Sequence, residues 1–136
     1  MNNLLTAVYG KLTGSSLLSY VGGRVYLDQA PEGVEFPYCV FFVVTDGPER
    51  TFTDRGKSGI IQFSLFSSSE SATEITTMYG HLLTLYDECS LTITSSSLVW
   101  FRRTNLTTMV EDITTPAGTT SVKHYAVDFE YMTFNS

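Results

Sequence analysis

The chain has 136 residues, the usual length of one domain, and 43% of them are hydrophobic, as in ordinary globular proteins. The net charge is −6 and only eight residues are basic, which argues against the clustered cations that tight nucleic-acid binding requires. The longest apolar run, residues 38–44, is too short to span a bilayer, and the N-terminus lacks the basic and apolar segments of a signal peptide.

The first predicted element is a helix. Its apolar positions recur at helical spacing, and Gly14 is placed to end it: they are Leu4, Leu5, Val8, Tyr9 and Leu12. Residues 16–21 favour one further helical turn, which Gly22 and Gly23 would stop. Residues 24–26 then favour a short extended segment.

A strand in the middle of a sheet is predicted over residues 38–44. Their continuous apolar run is typical of a strand covered on both faces. Residues 46–59 are rich in glycine and charge, which indicates a long mobile connection or, alternatively, a protruding hairpin. Ile61, Phe63 and Leu65 alternate with polar residues and predict a strand with one apolar face.

The best-defined predicted helix follows Ser68 and Ser69. Ser71 and Glu74 have the spacing of a capping box at its start. Its apolar stripe should pack across the sheet; the stripe consists of Ala72, Ile75, Met78, Tyr79, Leu82, Leu85 and Tyr86.

The C-terminal third predicts two or three strands. Residues 91–93 are short and β-like, and residues 98–106 favour a strand that carries Trp100 in the core. Residues 111–120 predict a second polar loop. The last strand alternates between an apolar set and a polar set, so one of its faces should be solvated; the sets are Tyr125, Val127, Phe129 and Tyr131 against His124, Ala126, Asp128 and Glu130.

These elements predict an α+β fold in a single domain over residues 1–136. We expect an antiparallel or mixed β-sheet, with an N-terminal helix and one long amphipathic helix packed on one face.

No catalytic, cofactor or metal site is predicted. Arg55-Gly56-Lys57-Ser58 is similar to the end of a phosphate-binding loop, but Thr51 stands where that motif needs glycine and a strand follows. His81 and His124 lack further ligands at local spacing, and a solvated position is expected for both. Cys39 and Cys89 fit no metal spacing and are expected to be free thiols. The acidic pairs near the C-terminus are more typical of a solvated surface than of paired catalytic carboxylates.

A family resemblance rests mainly on the first forty residues. The chain carries Gly22-Gly23-Arg24-Val25-Tyr26, then Ala30-Pro31, then Phe36-Pro37-Tyr38-Cys39-Val40-Phe41. This order resembles the tail-completion, or tail terminator, proteins of long-tailed bacteriophages. The rest of the chain matches them by the order of its elements only.

The resemblance implies a non-enzymatic virion protein. Its relatives are small α+β proteins that form a sixfold ring at the head-proximal end of the tail tube, where the ring stops tube growth and docks the head connector. The implied partners are further copies of the chain, the major tail tube protein and a head-completion or connector protein. DNA would pass through without specific binding, no membrane would be involved, and assembly would take place in the host bacterial cytoplasm.

Two groups of residues are candidates for these contacts. We expect a basic, aromatic-bearing segment to contact a neighbouring subunit or the tube; it comprises Arg50, Phe52, Arg55 and Lys57. We expect acids to face the channel, where they would repel phosphates; they are Glu111, Asp112, Asp128 and Glu130.

Three alternatives stay open. The chain could be another neck or head-completion subunit with a different docking partner. A different class of function, a small ligand-binding or enzymatic α+β domain, is disfavoured because no convergent polar site is visible. The isolated protein could also be monomeric, because either polar segment can order only on assembly.

Overall fold

The computed structural model describes residues 2–50, 55–69, 71–94, 96–115 and 118–135. Its elements, in chain order, are α1 (Asn2–Leu12), α2 (Ser16–Tyr20), β1 (Val25–Leu27), β2 (Tyr38–Arg50), β3 (Arg55–Ser67), α3 (Thr73–Tyr86), β4 (Thr92–Ile93), β5 (Ser96–Thr115) and β6 (Gly118–Asn135). The strands form one six-stranded sheet in the order β1-β2-β3-β6-β5-β4. β1 is parallel to β2 and the other neighbours are antiparallel, so the predicted α+β fold with a mixed sheet is confirmed. Among the described helices, none has the length and apolar content needed to cross a membrane.

The N-terminal helices form where the spacing predicts them. Leu4, Val8 and Leu12 lie on one face of α1 and are buried. Gly14 follows with φ +73°, a left-handed conformation that glycine adopts without steric cost and that commonly follows a helix end. The Ser15 side chain then caps α2 by accepting a hydrogen bond from the Leu18 N–H at 3.1 Å.

The hydrophobic core lies between the three helices and one face of the sheet. The predicted apolar faces of β3, β6 and α3 are confirmed, because most of their members are buried and Tyr79, Leu85 and Tyr125 are partly buried. Two members of the predicted sets differ: Ala72 is exposed and precedes α3, and Ala126, on the face of β6 expected to be solvated, is buried. The core is largely aromatic: the Phe63 ring centre lies 5.3 Å from Phe41, 4.9 Å from Tyr86 and 5.6 Å from Phe129. The Tyr86 hydroxyl donates to the Val8 carbonyl at 2.5 Å, which joins α3 to α1. Burial raises the pKa of the Tyr86 hydroxyl well above its usual value, so it remains a donor at neutral pH.

Two polar segments of the sequence form paired strands in the structure and not loops. Within residues 46–59, β2 and β3 stay paired from Asp46↔Gly59 to Arg50↔Arg55, so the hairpin alternative is confirmed. The predicted polar loop over residues 111–120 is wrong, because β5 and β6 remain paired from Glu111↔Val122 to Thr115↔Gly118. Threonine, valine and isoleucine favour strands, and the cross-strand partner supplies the backbone hydrogen bonds that local composition cannot reveal.

Three local predictions also need correction or confirmation. The capping box is wrong: Glu74 instead accepts a hydrogen bond from the Ser67 hydroxyl at 2.6 Å, and Ala72 precedes the helix. Trp100 is only half-buried and lies on the helix-free side of the sheet, outside the core. Cys39 and Cys89 are free thiols, as expected.

Two substitutions test how much the aromatic core contributes to the stability of the fold. Phe63→Ala should lower the free energy of unfolding by about 3–5 kcal/mol, because it removes the ring that contacts three others. Tyr86→Phe keeps the ring and removes the hydrogen bond to the Val8 carbonyl, so it should cost about 0.5–1.5 kcal/mol. Urea denaturation followed by circular dichroism gives both values. Tyr9→Phe is the control, since Tyr9 is 48% exposed, and it should change stability by no more than about 0.5 kcal/mol. Equal losses for all three variants would contradict this description of the core.

Candidate assembly surfaces

The sheet face opposite the helices, called here the helix-free face, carries a row of contacting aromatic rings, which we call the ring row. Ring centres are 5.3 Å apart for Phe36 and Tyr38, 4.7 Å for Tyr38 and Phe66, and 4.3 Å for Phe66 and His124. The row crosses three strands because Tyr38↔Phe66 and Phe66↔His124 are register partners. Cross-strand aromatic pairs of this kind stabilise a sheet. The His124 side chain is only 15% exposed, so the solvated position expected for it is wrong.

Three of the four candidate acids lie on the helix-free face, each beside a partner. Glu111 Oε1 is 3.4 Å from His124 Nδ1, at the end of the ring row. Asp128 Oδ1 accepts a hydrogen bond from Gln62 Nε2 at 2.8 Å. Glu130 Oε1 is 3.6 Å from the Arg102 guanidinium. These acids share a face because Asp128, Glu130 and Val122, the β6 partner of Glu111, are separated by even numbers of residues along β6.

Two side chains complete the description of this acidic region. Asp112 pairs with Ser121 on the opposite face and accepts a hydrogen bond from its hydroxyl at 2.9 Å. The four acids therefore do not form one cluster. The guanidinium of Arg102 lies 4.5 Å above the centre of the Trp100 ring, a cation–π contact that keeps it on the helix-free face.

Tyr38 links the ring row to Glu111 electrostatically. Burial raises the pKa of the Tyr38 hydroxyl, and the negative charge of Glu111 raises it further. Both effects favour the neutral phenol, because a phenolate would be poorly solvated and would face a carboxylate.

The basic candidate residues belong to the tip of the β2–β3 hairpin. Arg50 and Arg55 form its last register pair, and Lys57 is exposed on β3 two residues further on. Phe52 lies outside the described residues. This tip is at the end of the sheet where β6 finishes, since Gly56 pairs with Phe134.

The opposite end of the sheet carries a two-stranded extension. The β3–β6 ladder ends at Ser67↔Lys123, but β5 and β6 continue to Thr115↔Gly118. We call residues 111–115 and 118–122 the arm. No third strand covers it within the described part of the chain, and a two-stranded ribbon is marginally stable on its own. The arm contains two acids, Glu111 and Asp112, and no basic residue.

The two edges of the sheet are thinly covered. At one edge β1 has three residues, and at the other β4 pairs only with Ser96 and Ser97 of β5. The α3 end adds two contacts to β5: the Glu88 N–H donates to the Phe101 carbonyl, and the Arg103 N–H donates to the Asp87 carboxylate. Residues 104–115 of β5 have no strand beside their outer edge in the described structure.

Neither a metal site nor a phosphate-binding loop is formed by the described residues. Among the described residues, no group of three or more His, Cys, Asp or Glu side chains could hold a metal ion. Lys57 and Ser58 lie within β3, so no helix N-terminus follows the phosphate-loop-like segment. The surfaces that stand out are those suited to contacts with other proteins.

Comparisons with known proteins support the family resemblance seen in the sequence. The family model described as tail completion protein gp17 matches residues 6–133. A solved chain described as belonging to a virion of a native gene transfer agent particle is similar with a TM-score of 0.69 and 15% identity, covering 96% of this chain and 93% of that one. A second solved chain has a TM-score of 0.58 and 12% identity, covering 96% and 94%. At these identities the two structures show a shared fold. The curated proteins contain no match to the chain.

The coupling between Tyr38 and Glu111 can be measured. Glu111→Gln should lower the pKa of Tyr38 toward its ordinary value without reaching it, because burial is the larger cause of the rise. Titration of the Tyr38 ring carbon resonance, assigned with Tyr38→Phe, follows the change. Asp112→Asn is the matched control: it neutralises the neighbouring acid on the opposite face and should leave the Tyr38 titration unchanged. A shift from Asp112→Asn as large as that from Glu111→Gln would refute the assignment.

Proposed function

We propose a function that proceeds from one premise: the chain belongs to the tail completion protein gp17 family, a family of structural proteins of the phage virion. We infer that this protein closes the head-proximal end of the tail tube as a ring of six copies. The ring would end tube polymerisation and present the docking surface for the head connector. The observation that carries the proposal is the family match over residues 6–133, nearly the whole chain.

The two ends of the sheet support a role at a junction. The described residues of the hairpin tip include the basic residues Arg50, Arg55 and Lys57, whereas the only charged residues of the arm at the other end are the acids Glu111 and Asp112. A protein between tube and head needs two different docking surfaces that point in opposite directions. We propose that the hairpin tip, including Phe52, contacts the tube or a neighbouring subunit.

The helix-free face suits the wall of a passage for DNA. We propose that it faces the ring channel and that Glu111, Asp128 and Glu130 repel passing phosphates. The partners of these acids, His124, Gln62 and Arg102, hold them in place; the nearby Arg102 partly offsets the charge of Glu130. Asp112 lies on the opposite face and does not join them in this arrangement.

Removing the protein tests the function directly. Cells infected with phage that lack it should yield overlong tubes without heads, seen by electron microscopy, because tube growth is no longer stopped. The alternative, a head-completion or other neck subunit, predicts tails of normal length that lack heads. Tails of normal length joined to heads would exclude both. Supplying the wild-type chain from a plasmid is the control and should restore infectious particles.

Complementation with variants separates the two surfaces. The combined change Arg50→Ser, Arg55→Ser and Lys57→Ser should leave the chain folded and abolish head–tail joining. The pair Asp128→Lys and Glu130→Lys should allow assembly and slow DNA ejection, because a cationic wall attracts phosphate. Asp112→Lys is the control for the second pair and should leave ejection unchanged. Normal joining in the first variant, or unchanged ejection kinetics in the second, would overturn the corresponding assignment.

A further inference from the structure

An apolar groove lies at the β1 edge of the sheet, on the side that carries the helices. It has a volume of about 550 Å³ and lies between α1 and β1; its lining residues are Leu5, Thr6, Tyr9, Gly10, Leu27 and Phe41. Two of these are unusually exposed for their type: Tyr9 is 48% exposed and Leu27 is 42% exposed. Exposed apolar side chains around a concave surface are typical of a protein contact site.

The opposite edge of the sheet also exposes an apolar side chain. Val110 on β5 is 68% exposed, the highest value among the large hydrophobic residues that are described as exposed. It lies on the helix side of the sheet, because its neighbour Glu111 lies on the helix-free face. The groove and Val110 are therefore on the same side of the sheet, at its two opposite edges.

The strands at these two edges, β1 and β5, run in opposite directions, and both contain a residue of the same row of register partners. β1 is parallel to β2, and three successive antiparallel pairings lead from β2 to β5. One row of register partners runs through Tyr26, Val40, Ser64, Ala126 and Thr107. A second copy placed beside the first in the same orientation would therefore set β1 antiparallel to the uncovered part of β5 at a matching level.

The two edges differ in charge only at one level of the sheet. The connection between β1 and β2 exposes three acids, Asp28, Glu32 and Glu35. β5 exposes Arg103 and, further along, Glu111 and Asp112, while Arg102 is paired with Glu130. Exposed ion pairs add little affinity, but complementary charge selects orientation, which here favours a register that keeps the three acids nearer Arg103 than Glu111.

We propose that the β1 edge receives the β5 edge of a second copy of this chain, with β1 pairing antiparallel with residues 104–110. In the shared register Tyr26 faces Thr107, and Leu27, which lines the groove, faces Leu106. The contact joins unlike surfaces, so it repeats head to tail and can close into a ring. This contact rests on the proposed ring and identifies the two surfaces that would join its subunits.

Mixtures of variants with one introduced cysteine each test this contact. Tyr26→Cys and Thr107→Cys, which the shared register places opposite each other, are each made in full-length chains carrying Cys89→Ser, while the fully buried Cys39 is kept. Under mild oxidation of the mixture, disulfide-linked dimers containing one chain of each kind should form more than about tenfold faster than in either variant alone, because the contact holds the two thiols at a high effective concentration. A chain carrying both changes should give a ladder of linked oligomers. Non-reducing gels and intact mass measure the products.

Thr76→Cys, exposed on α3, is the matched control and should not link preferentially to Thr107→Cys. No enrichment of the mixed dimer at millimolar protein would overturn the proposal, and so would self-linking of Tyr26→Cys as fast as in the mixture, which would indicate a symmetric dimer. The tail phenotype is read separately. Overlong tails in the absence of the protein, together with failed cross-linking, would refute this contact and leave the terminator function standing. Tails of normal length together with successful cross-linking would refute the terminator function and leave the contact standing.

Discussion

The unbroken pairing of β3 with β6 is the constraint on which the other features depend. Its register runs from Gly56↔Phe134 to Ser67↔Lys123 without a bulge. Side chains alternate across a strand, so this register puts Phe63 and Phe129 into the core and Gln62 and Asp128 on the other face. A slip of one residue would reverse both faces at once. The stability of the core and the chemistry of the helix-free face are therefore set by the same pairing.

A tyrosine on β6 crosses over a glycine on β3 and joins the base of the β2–β3 hairpin to β6. Tyr131 pairs with Gly59, and its hydroxyl donates to the Asp46 carboxylate on β2. A Cβ at Gly59 would lie 2.1 Å from the Thr45 carbonyl oxygen and 2.8 Å from the Tyr131 hydroxyl, so any larger residue would displace the contact. Burial, and then the hydrogen bond to Asp46, raise the pKa of Tyr131 well above its usual value. The phenol therefore keeps its proton at neutral pH and holds the hairpin to β6.

Local periodicity predicted the elements, and long-range pairing decided what they do. The stripe of α3 and the alternation in β3 and β6 are visible in the sequence because a helix or a strand repeats within a few residues. The ring row was not visible, because Tyr38, Phe66 and His124 are far apart in sequence and meet only through register. The arm was mistaken for a loop for the same reason. The grouping of Glu111 with Asp128 and Glu130, and the separation of Asp112, likewise depend on strand parity across two pairings.

The composition of the β5 edge bears on the proposed contact between copies of the chain. Proteins usually protect an open sheet edge with lysine, proline, a short strand or a covering element, because an uncovered edge pairs with other chains. Residues 104–110 contain no lysine and no proline, and no strand covers them in the described structure. Protection by charge begins only at Glu111 and Asp112, where the arm starts. β1 meets the same row of the sheet and is itself only three residues long. An edge left open over that interval, facing a short strand beside an apolar groove, has the properties of a surface that another copy of the chain covers.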